Sequence, residues 1–145
     1  ADILLRRAER VRALERQPRV DRDETTRPID LGRGALAIAS AREAHRGVRF
    51  EADLSPALPR VRGDRSHLEE GLTLLLCDDA ARAQKDRTIT VTSEDDVASA
   101  VHLVIRHGAE PALLSLDRLL AMRLIESTNG DVKAQSGETH VRWRY

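Results

Sequence analysis

The chain has 145 residues, of which 41% are apolar, and this is enough to build the core of one ordinary domain. Its 24 basic residues balance 24 acidic residues, so no net charge attracts it to nucleic acid or to an anionic membrane. The single Cys77 excludes an internal disulfide bond, and no apolar run approaches the roughly 18 residues that cross a bilayer. The only aromatic residues are Phe50, Trp143 and Tyr145, which leaves no stacking platform for single-stranded nucleic acid.

The first predicted element is an amphipathic helix at residues 2–17, which Pro18 ends. Its narrow apolar stripe consists of Ile3, Leu4, Val11 and Leu14. The chain begins without Met, as a piece of a longer protein would. We therefore expect this helix to be the end of a longer helical hairpin, with packing on its own domain as the alternative.

A polar, turn-rich segment begins at Arg19 and predicts a linker into the main domain. A second helix is predicted at about residues 30–46, with Asp30 as its N-cap and Gly47 as its stop signal. Residues 48–54 alternate between apolar and polar side chains, which predicts a half-buried strand. Residues 60–63 add a short extended piece after a loop bounded by prolines.

A third helix is predicted at residues 64–83, with Asp64 as its cap. Its apolar face consists of Leu68, Leu72, Leu75, Leu76, Ala80 and Ala83. Two runs rich in strand-forming residues, at 87–94 and 100–107, then predict an antiparallel pair. The chain ends with a helix that Asn129 and Gly130 close, followed by a hairpin that turns at Gly137.

This order of elements predicts the fold class, an α/β protein of one main domain. The strands lie next to one another in pairs, and the helices are partly segregated from them. The economical packing is a two-layer α/β sandwich, in which helices cover one face of a mixed, mainly antiparallel sheet.

Two adjacent acids, Asp78 and Asp79, interrupt the predicted third helix directly after a run of leucines. In one interpretation they lie at a solvated edge near the end of the helix and pair with Arg82 or Lys85. However, acids in the last turns of a helix oppose its dipole, at about 0.3–1 kcal/mol each when exposed. A divalent cation bound by carboxylate oxygens is therefore the second interpretation.

Several motifs resemble the catalytic, ATP-binding domain of bacterial sensor histidine kinases, which belongs to the GHKL superfamily and has the Bergerat-type fold. Gly63, Asp64 and Leu68 match the lead-in to the helix that carries the family's Asn box. Continued without a gap, the alignment places Asp78 at the magnesium-binding Asn. A shift of one residue places Asp79 there instead and makes Arg82 the phosphate-contacting base. Both registers stay open, and Lys85 is a further phosphate candidate.

The strand at residues 101–106 resembles the one that leads into the family's first glycine box, D-x-G-x-G, with Gly108 at the first Gly. The adenine-recognising Asp then aligns with Arg106, which cannot accept a hydrogen bond. His107, Glu110 or a backbone carbonyl would have to accept instead. The resemblance thus implies a nucleotide site made from both acids, Arg82, Lys85, Arg106, His107 and Gly108.

The segment Ser-Leu-Asp-Arg at residues 115–118 occupies the place of the family's second glycine box, G-L-G-L, and only six residues separate it from Gly108. The flexible glycines that wrap phosphates are absent from it. The segment at 124–132 resembles the helix end that follows in the family, with matches at Ile125, Glu126, Gly130 and Val132.

The resemblance covers roughly residues 18–145 and implies a cytoplasmic catalytic domain, with residues 1–17 as the end of the dimerisation hairpin. Such a histidine protein kinase would bind ATP and Mg²⁺, with Asp78 or Asp79 at the metal according to the register, and would position the γ-phosphate for a histidine outside this chain. The implied partners are the protein's own hairpin, within a homodimer, and a response regulator. Isolated, the domain would show weak ATPase activity. The alternative is a degenerate docking module that binds no nucleotide and assists phosphotransfer to the regulator.

Overall fold

The computed structural model describes residues 9, 11, 25–44, 47–83, 87–109 and 115–144. The helices in these ranges are α1 (Pro28–Arg42), α2 (Arg65–Arg82) and α3 (Leu116–Glu126). The strands are β1 (Thr25–Thr26), β2 (Arg49–Asp53), β3 (Val61–Arg62), β4 (Thr88–Glu94), β5 (Val101–Arg106), β6 (Gly130–Gln135) and β7 (Glu138–Trp143). None of these helices combines the length and the apolar character that a bilayer crossing requires.

The main sheet has five strands in the order β2-β4-β5-β7-β6. The edge pair β2–β4 is parallel, and the other pairs are antiparallel. The predicted antiparallel pair is β4–β5, and the predicted terminal hairpin is β6–β7, which turns at Gly137 with a φ of 76°. The predicted fold class, a mixed and mainly antiparallel sheet with helices, is therefore confirmed.

The core lies between the sheet and the helices. Along β5, Val101, Leu103 and Ile105 join the same apolar cluster as the leucines of α2 and the end of α3. Because side chains alternate along a strand, His102 and Arg106 lie on the opposite, outer face of the sheet. The helices thus cover one face, and the outer face carries polar and charged side chains.

Helix α2 begins where the sequence predicts, because Asp64 caps it. The Asp64 Oδ1 atom accepts hydrogen bonds from the backbone N–H groups of Ser66 (2.8 Å) and His67 (3.3 Å). Thirteen residues of this helix are buried, from His67 to Ala80 with Glu69 as the exception. A helix buried all round does not sit at the edge of a domain, and α2 packs between α1 and α3.

Four predictions about these elements were wrong. Helix α1 ends at Arg42 rather than at about residue 46. Helix α1 begins at Pro28 rather than Asp30, because proline at the first helical position is already in the helical φ range; the Asp30 carboxylate instead pairs with Arg27 at 2.9 Å. The predicted linker contains β1, which pairs with β3 in a second, two-stranded sheet. Helix α3 ends at Glu126, three residues early, since Asn129 adopts a left-handed conformation with a φ of 65°.

The amphipathic segment at residues 2–17 lies mostly outside the described residues. Glu9 and Val11 are helical, and Val11 is buried within the apolar core of the domain. This burial favours packing of the segment on its own domain at that position. The assignment of residues 1–17 to a dimerisation hairpin stays a prediction.

Candidate functional site

The paired acids lie near the end of α2 and are buried, Asp78 with 8% of its surface exposed and Asp79 with none. They face the start of α3 and the strand β7. They are therefore not at a solvated edge of the helix. An ionised carboxylate at such a position requires charged or hydrogen-bonding partners.

Arg118, in the first turn of α3, supplies the main partner for both acids. Its Nε atom donates to Asp78 Oδ2 at 2.9 Å, and its Nη2 atom donates to Asp79 Oδ1 at 2.6 Å. The Arg118 side chain is itself only 4% exposed. One guanidinium group thus bridges two adjacent carboxylates inside the domain.

Ser115 places Arg118 and contacts the acids as well. Its hydroxyl oxygen accepts a hydrogen bond from the Arg118 backbone N–H at 3.1 Å, which caps α3, and its hydroxyl donates to Asp78 Oδ1 at 2.7 Å. Ser115 and Arg118 begin and end the segment that the resemblance predicts to occupy the place of the second glycine box. The side chains of this segment therefore fill the site.

Arg82 and Thr139 complete the cluster. Arg82 Nη2 lies 2.5 Å from Asp79 Oδ1 and 3.3 Å from Asp78 Oδ2. The Thr139 hydroxyl, from β7, donates to Asp79 Oδ2 at 3.0 Å. Two guanidinium groups thus neutralise two carboxylates, and each of the four carboxylate oxygens has at least one donor.

Burial shifts the titration of the groups in this cluster. It raises the pKa of Asp79, while the neighbouring positive charges and the Thr139 hydroxyl act in the opposite direction. Burial also lowers the pKa of His107, against the attraction of Asp79. His107 Nδ1 accepts from the Ala109 backbone N–H at 3.0 Å. The neutral imidazole therefore carries its proton on Nε2, which lies 3.7 Å from Asp79 Oδ1.

The carboxylate oxygens of this cluster are not available as ligands for a magnesium ion. Mg²⁺ requires oxygen ligands in near-octahedral geometry, and the oxygens of Asp78 and Asp79 already accept from Arg118, Arg82, Ser115 and Thr139. In the part of the chain that the structure describes, no group of three or more His, Cys, Asp and Glu side chains is arranged to hold a metal. The Arg118 Nη1 atom is buried without a hydrogen-bond partner. All four carboxylate oxygens are therefore bonded, but one N–H group of Arg118 is not.

The remaining predicted site residues are only partly brought together. His107 joins the acids, whereas Arg106 lies on the outer face of the sheet, where it pairs with Glu94 at 2.6 Å and with Glu138. Gly108 has a φ of 69°, and the guanidinium of Arg87 occupies the space that a Cβ atom there would need. Lys85 and Glu110 lie outside the described residues.

The sequence predicted the acids and Arg82 but missed Ser115, Arg118 and Thr139. The one local signal was the polar segment at 115–118 in place of glycines. A buried contact between residues 39 positions apart, such as the one between Arg118 and Asp79, has no periodicity that a single sequence displays.

The fold matches solved structures of histidine kinases. The Acinetobacter baumannii histidine kinase AdeS aligns with a TM-score of 0.69 and 16% identity, over 97% of this chain and 75% of that one. The cytoplasmic segment of histidine kinase QseC aligns with a TM-score of 0.71 and 14% identity, over 99% and 95%. The catalytic domain of histidine kinase ThkA aligns with a TM-score of 0.63 and 16% identity, over 82% and 94%.

No family model and no curated protein matches the sequence. At identities of 14–16%, the structural matches establish the fold of this chain. The activity of the site has to be inferred from the residues that form it. The expected resemblance is confirmed at that level. The chain has the fold of the sensor histidine kinase catalytic domain, in a divergent form.

Proposed function

We propose that this domain is a docking module that assists phosphotransfer to a response regulator in the cytoplasm, and that its paired acids do not hold Mg-ATP. The single observation that carries the proposal is the pair of hydrogen bonds from Arg118 to Asp78 and Asp79. The guanidinium group of Arg118 thus binds the carboxylates to which the resemblance assigns the metal.

The free energy needed to separate Arg118 and Arg82 from the two acids argues against metal binding there. For Mg²⁺ to reach the acids, Arg118 and Arg82 would have to leave them. The guanidinium groups are held by hydrogen bonds to charged carboxylates, each of which contributes about 1.5–3 kcal/mol. The withdrawn guanidinium groups would then lie close to a divalent cation and repel it.

The surface of α3 supports the docking role. Leu116 and Leu119 are 43% and 48% exposed, and their spacing of three residues places them side by side on the helix. Both belong to the helix that contributes Arg118 to the closed cluster. An exposed apolar pair of this kind fits the apolar part of a protein interface. We assign this surface to the receiver domain of the regulator.

A histidine kinase that binds Mg-ATP is the second candidate, and the fold itself favours it. In that case Asp78 or Asp79 would hold the metal, and Arg82, with Lys85 as a further candidate, would contact phosphates. The adenine end would fall to His107 and Gly108, together with Arg106 if that side chain left the outer face. All of this requires Arg118 to withdraw from the acids.

Calorimetric titration of ATP, with Mg²⁺ and with a chelator, separates the two candidates. We expect no saturable, Mg²⁺-dependent binding in the millimolar range. Saturable binding that requires Mg²⁺ and disappears in a variant with Asp78→Asn and Asp79→Asn would establish the kinase candidate. Asp53→Asn on the exposed strand β2 is the matched control, and circular dichroism verifies that each variant folds.

Binding of receiver domains tests the docking role. Receiver domains from the source organism are immobilised, and the affinity of the wild-type chain is compared with that of Leu119→Ser. We expect the substitution to weaken binding at least tenfold, because an apolar side chain at an interface is lost. Val97→Ser is the control, since Val97 is fully exposed but lies in the turn between β4 and β5. Equal effects of both substitutions would exclude α3 as the docking surface.

A further inference from the structure

A pocket of about 490 Å³ lies at the end of the sheet opposite the paired acids. Strand β5 runs from Val101, at the pocket, to Arg106, next to His107, so roughly 17 Å separates the two ends. Its lining includes Arg60, Val61, Arg62, Val101, Trp143 and Arg144. It is separate from the site discussed above and independent of the proposed function.

The inner wall of this pocket contains closely packed apolar side chains. The Trp143 indole N–H donates to the Thr128 hydroxyl oxygen at 3.1 Å, and Trp143 is 3% exposed. Gly130 lies directly against the ring, because a Cβ atom there would come within 2.7 Å of Trp143 Nε1. Val61 and Val101 are also buried. Such a wall offers a fixed surface to the organic part of a ligand.

Three arginines at the rim give the pocket a strong positive charge. Arg60, Arg62 and Arg144 are exposed, and no acidic residue is among the side chains that line the pocket. Within the described ranges, none of the three forms an ion pair, whereas Arg42, Arg106 and Arg142 each contact a carboxylate. In a chain of zero net charge, three guanidinium groups that pair with no described carboxylate line one cavity.

One of these guanidinium groups is also held in place. Arg60 Nε donates to the Thr25 hydroxyl at 2.9 Å, and Arg60 Nη2 donates to the Thr25 carbonyl oxygen at 3.2 Å. These bonds join the residue before β3 to the short strand β1. Neutral acceptors orient the group without cancelling its charge, so Arg60 stays available to an anion.

We infer that this pocket binds a small phosphate monoester, with its phosphate at the three arginines and its organic group against Trp143 and Val101. A phosphate group carries about −1.5 to −2 charges at pH 7, and the planar guanidinium group matches its oxygens in bidentate geometry. The C-terminal end of α3 forms part of the wall and disfavours an anion through its partial negative charge. Three full positive charges exceed that partial charge. The volume lies within the range of small-molecule sites.

Trp143 is the only tryptophan and lines the pocket, so its fluorescence reports binding. The probe is phenyl phosphate, with inorganic phosphate and phenol as the separated halves. We expect saturable fluorescence change with phenyl phosphate below about 10 mM, and weaker binding of either half. Calorimetry gives a second readout, so that a spectroscopically silent complex is still detected. Absence of saturable binding by both methods would overturn the inference.

Substitutions then assign the binding to this pocket. We expect Arg62→Gln and Arg144→Gln each to raise the Kd about tenfold, because each removes a charge-assisted hydrogen bond. Arg49→Gln, on the exposed edge strand β2, is the control; an equal effect there would mean non-specific attraction. Binding here needs no Mg²⁺ and is insensitive to Asp78→Asn. An absence of phosphate-monoester binding would therefore leave the proposed docking function unaffected, and the two proposals are tested separately.

Discussion

Arg118 Nη2 donates to Asp79 Oδ1 across 2.6 Å, and both side chains are almost fully buried. This bond joins the start of α3 to the end of α2. The sequence resemblance predicts that these two segments occupy the places of the second glycine box and the Asn box of histidine kinases. Under that prediction, the ion pair joins the two positions at which this chain departs from the family pattern.

We expect Arg118→Met to lower the free energy of unfolding by about 3–5 kcal/mol, because it leaves a buried carboxylate without its main partner. Urea denaturation measures this value. Arg49→Met on the exposed edge strand is the control and should change stability by less than about 0.5 kcal/mol. Adding Asp79→Asn to Arg118→Met should recover part of the loss, since the unpaired charge is then removed. An effect of Arg118→Met no larger than that of the control would contradict the assigned ion pair.

The two acids should differ in their contribution to stability. Both acids contact Arg118 and Arg82, but Asp79 is fully buried, whereas Asp78 is 8% exposed. We expect Asp79→Ala to cost about 3–5 kcal/mol and Asp78→Ala about 1–3 kcal/mol. Thermal and urea unfolding of the two variants, measured in parallel, give the comparison. The reverse order would show that Asp78, and not Asp79, is the centre of the cluster.

His107 should make stability depend on pH in the mildly acidic range. Burial lowers its pKa below the ordinary value of 6.5, so its contribution to stability is present above pH 6.5 and is lost as the pH falls towards the folded-state pKa. The expected loss is up to about 1 kcal/mol per pH unit.

The matched variant for this measurement is His107→Gln, whose amide does not titrate. We expect its stability to change less than that of the wild type between about pH 5 and 7.5. The raised pKa of Asp79 acts in the opposite sense, because that contribution is present below 3.8 and lost as the pH rises. His107 also lowers the pKa of Asp79, so the difference between the two proteins reports the coupled titration of His107 and Asp79. Parallel curves for the two would contradict the assignment.

Two glycines should respond oppositely to alanine. At Gly34, within α1, a Cβ atom meets only the carboxylate end of Glu69, a flexible side chain. Gly34→Ala should therefore stabilise the protein by up to about 1 kcal/mol through helix propensity. At Gly130, a Cβ atom would lie 2.7 Å from both Ile125 Cγ2 and Trp143 Nε1.

Because Ile125 and Trp143 are buried, they cannot yield freely, and Gly130→Ala should cost about 1–3 kcal/mol. Thermal unfolding of both variants measures these two changes in stability. A destabilised Gly34→Ala variant would mean that the Glu69 side chain is held more firmly than its partial exposure indicates.

Local patterns in the sequence were sufficient for most of the fold. The period of the leucines and the Asp64 cap located α2, and alternating residues located β4 and β5, because these signals lie within single elements. The extended piece predicted at residues 60–63 contains β3, but β1 and its pairing with β3 escaped prediction, since β1 has two residues and no repeat. For the site, residue types predicted that the acids at 78 and 79 have a special role. Their partners, Arg118 and Thr139, come from elements that only tertiary packing brings near.

The parallel pairing of β2 with β4 has a consequence for how the chain folds. Hairpins such as β6–β7 close locally, but β2 and β4 are joined through residues 54–87, which include all of α2. Closing so long a connection costs chain entropy before any contact between β2 and β4 forms. Contacts between residues far apart in the sequence therefore slow folding. On the ribosome, β2 emerges well before its only partner in the sheet. The first strand of the sheet to be synthesised therefore waits, unpaired, until β4 has been made.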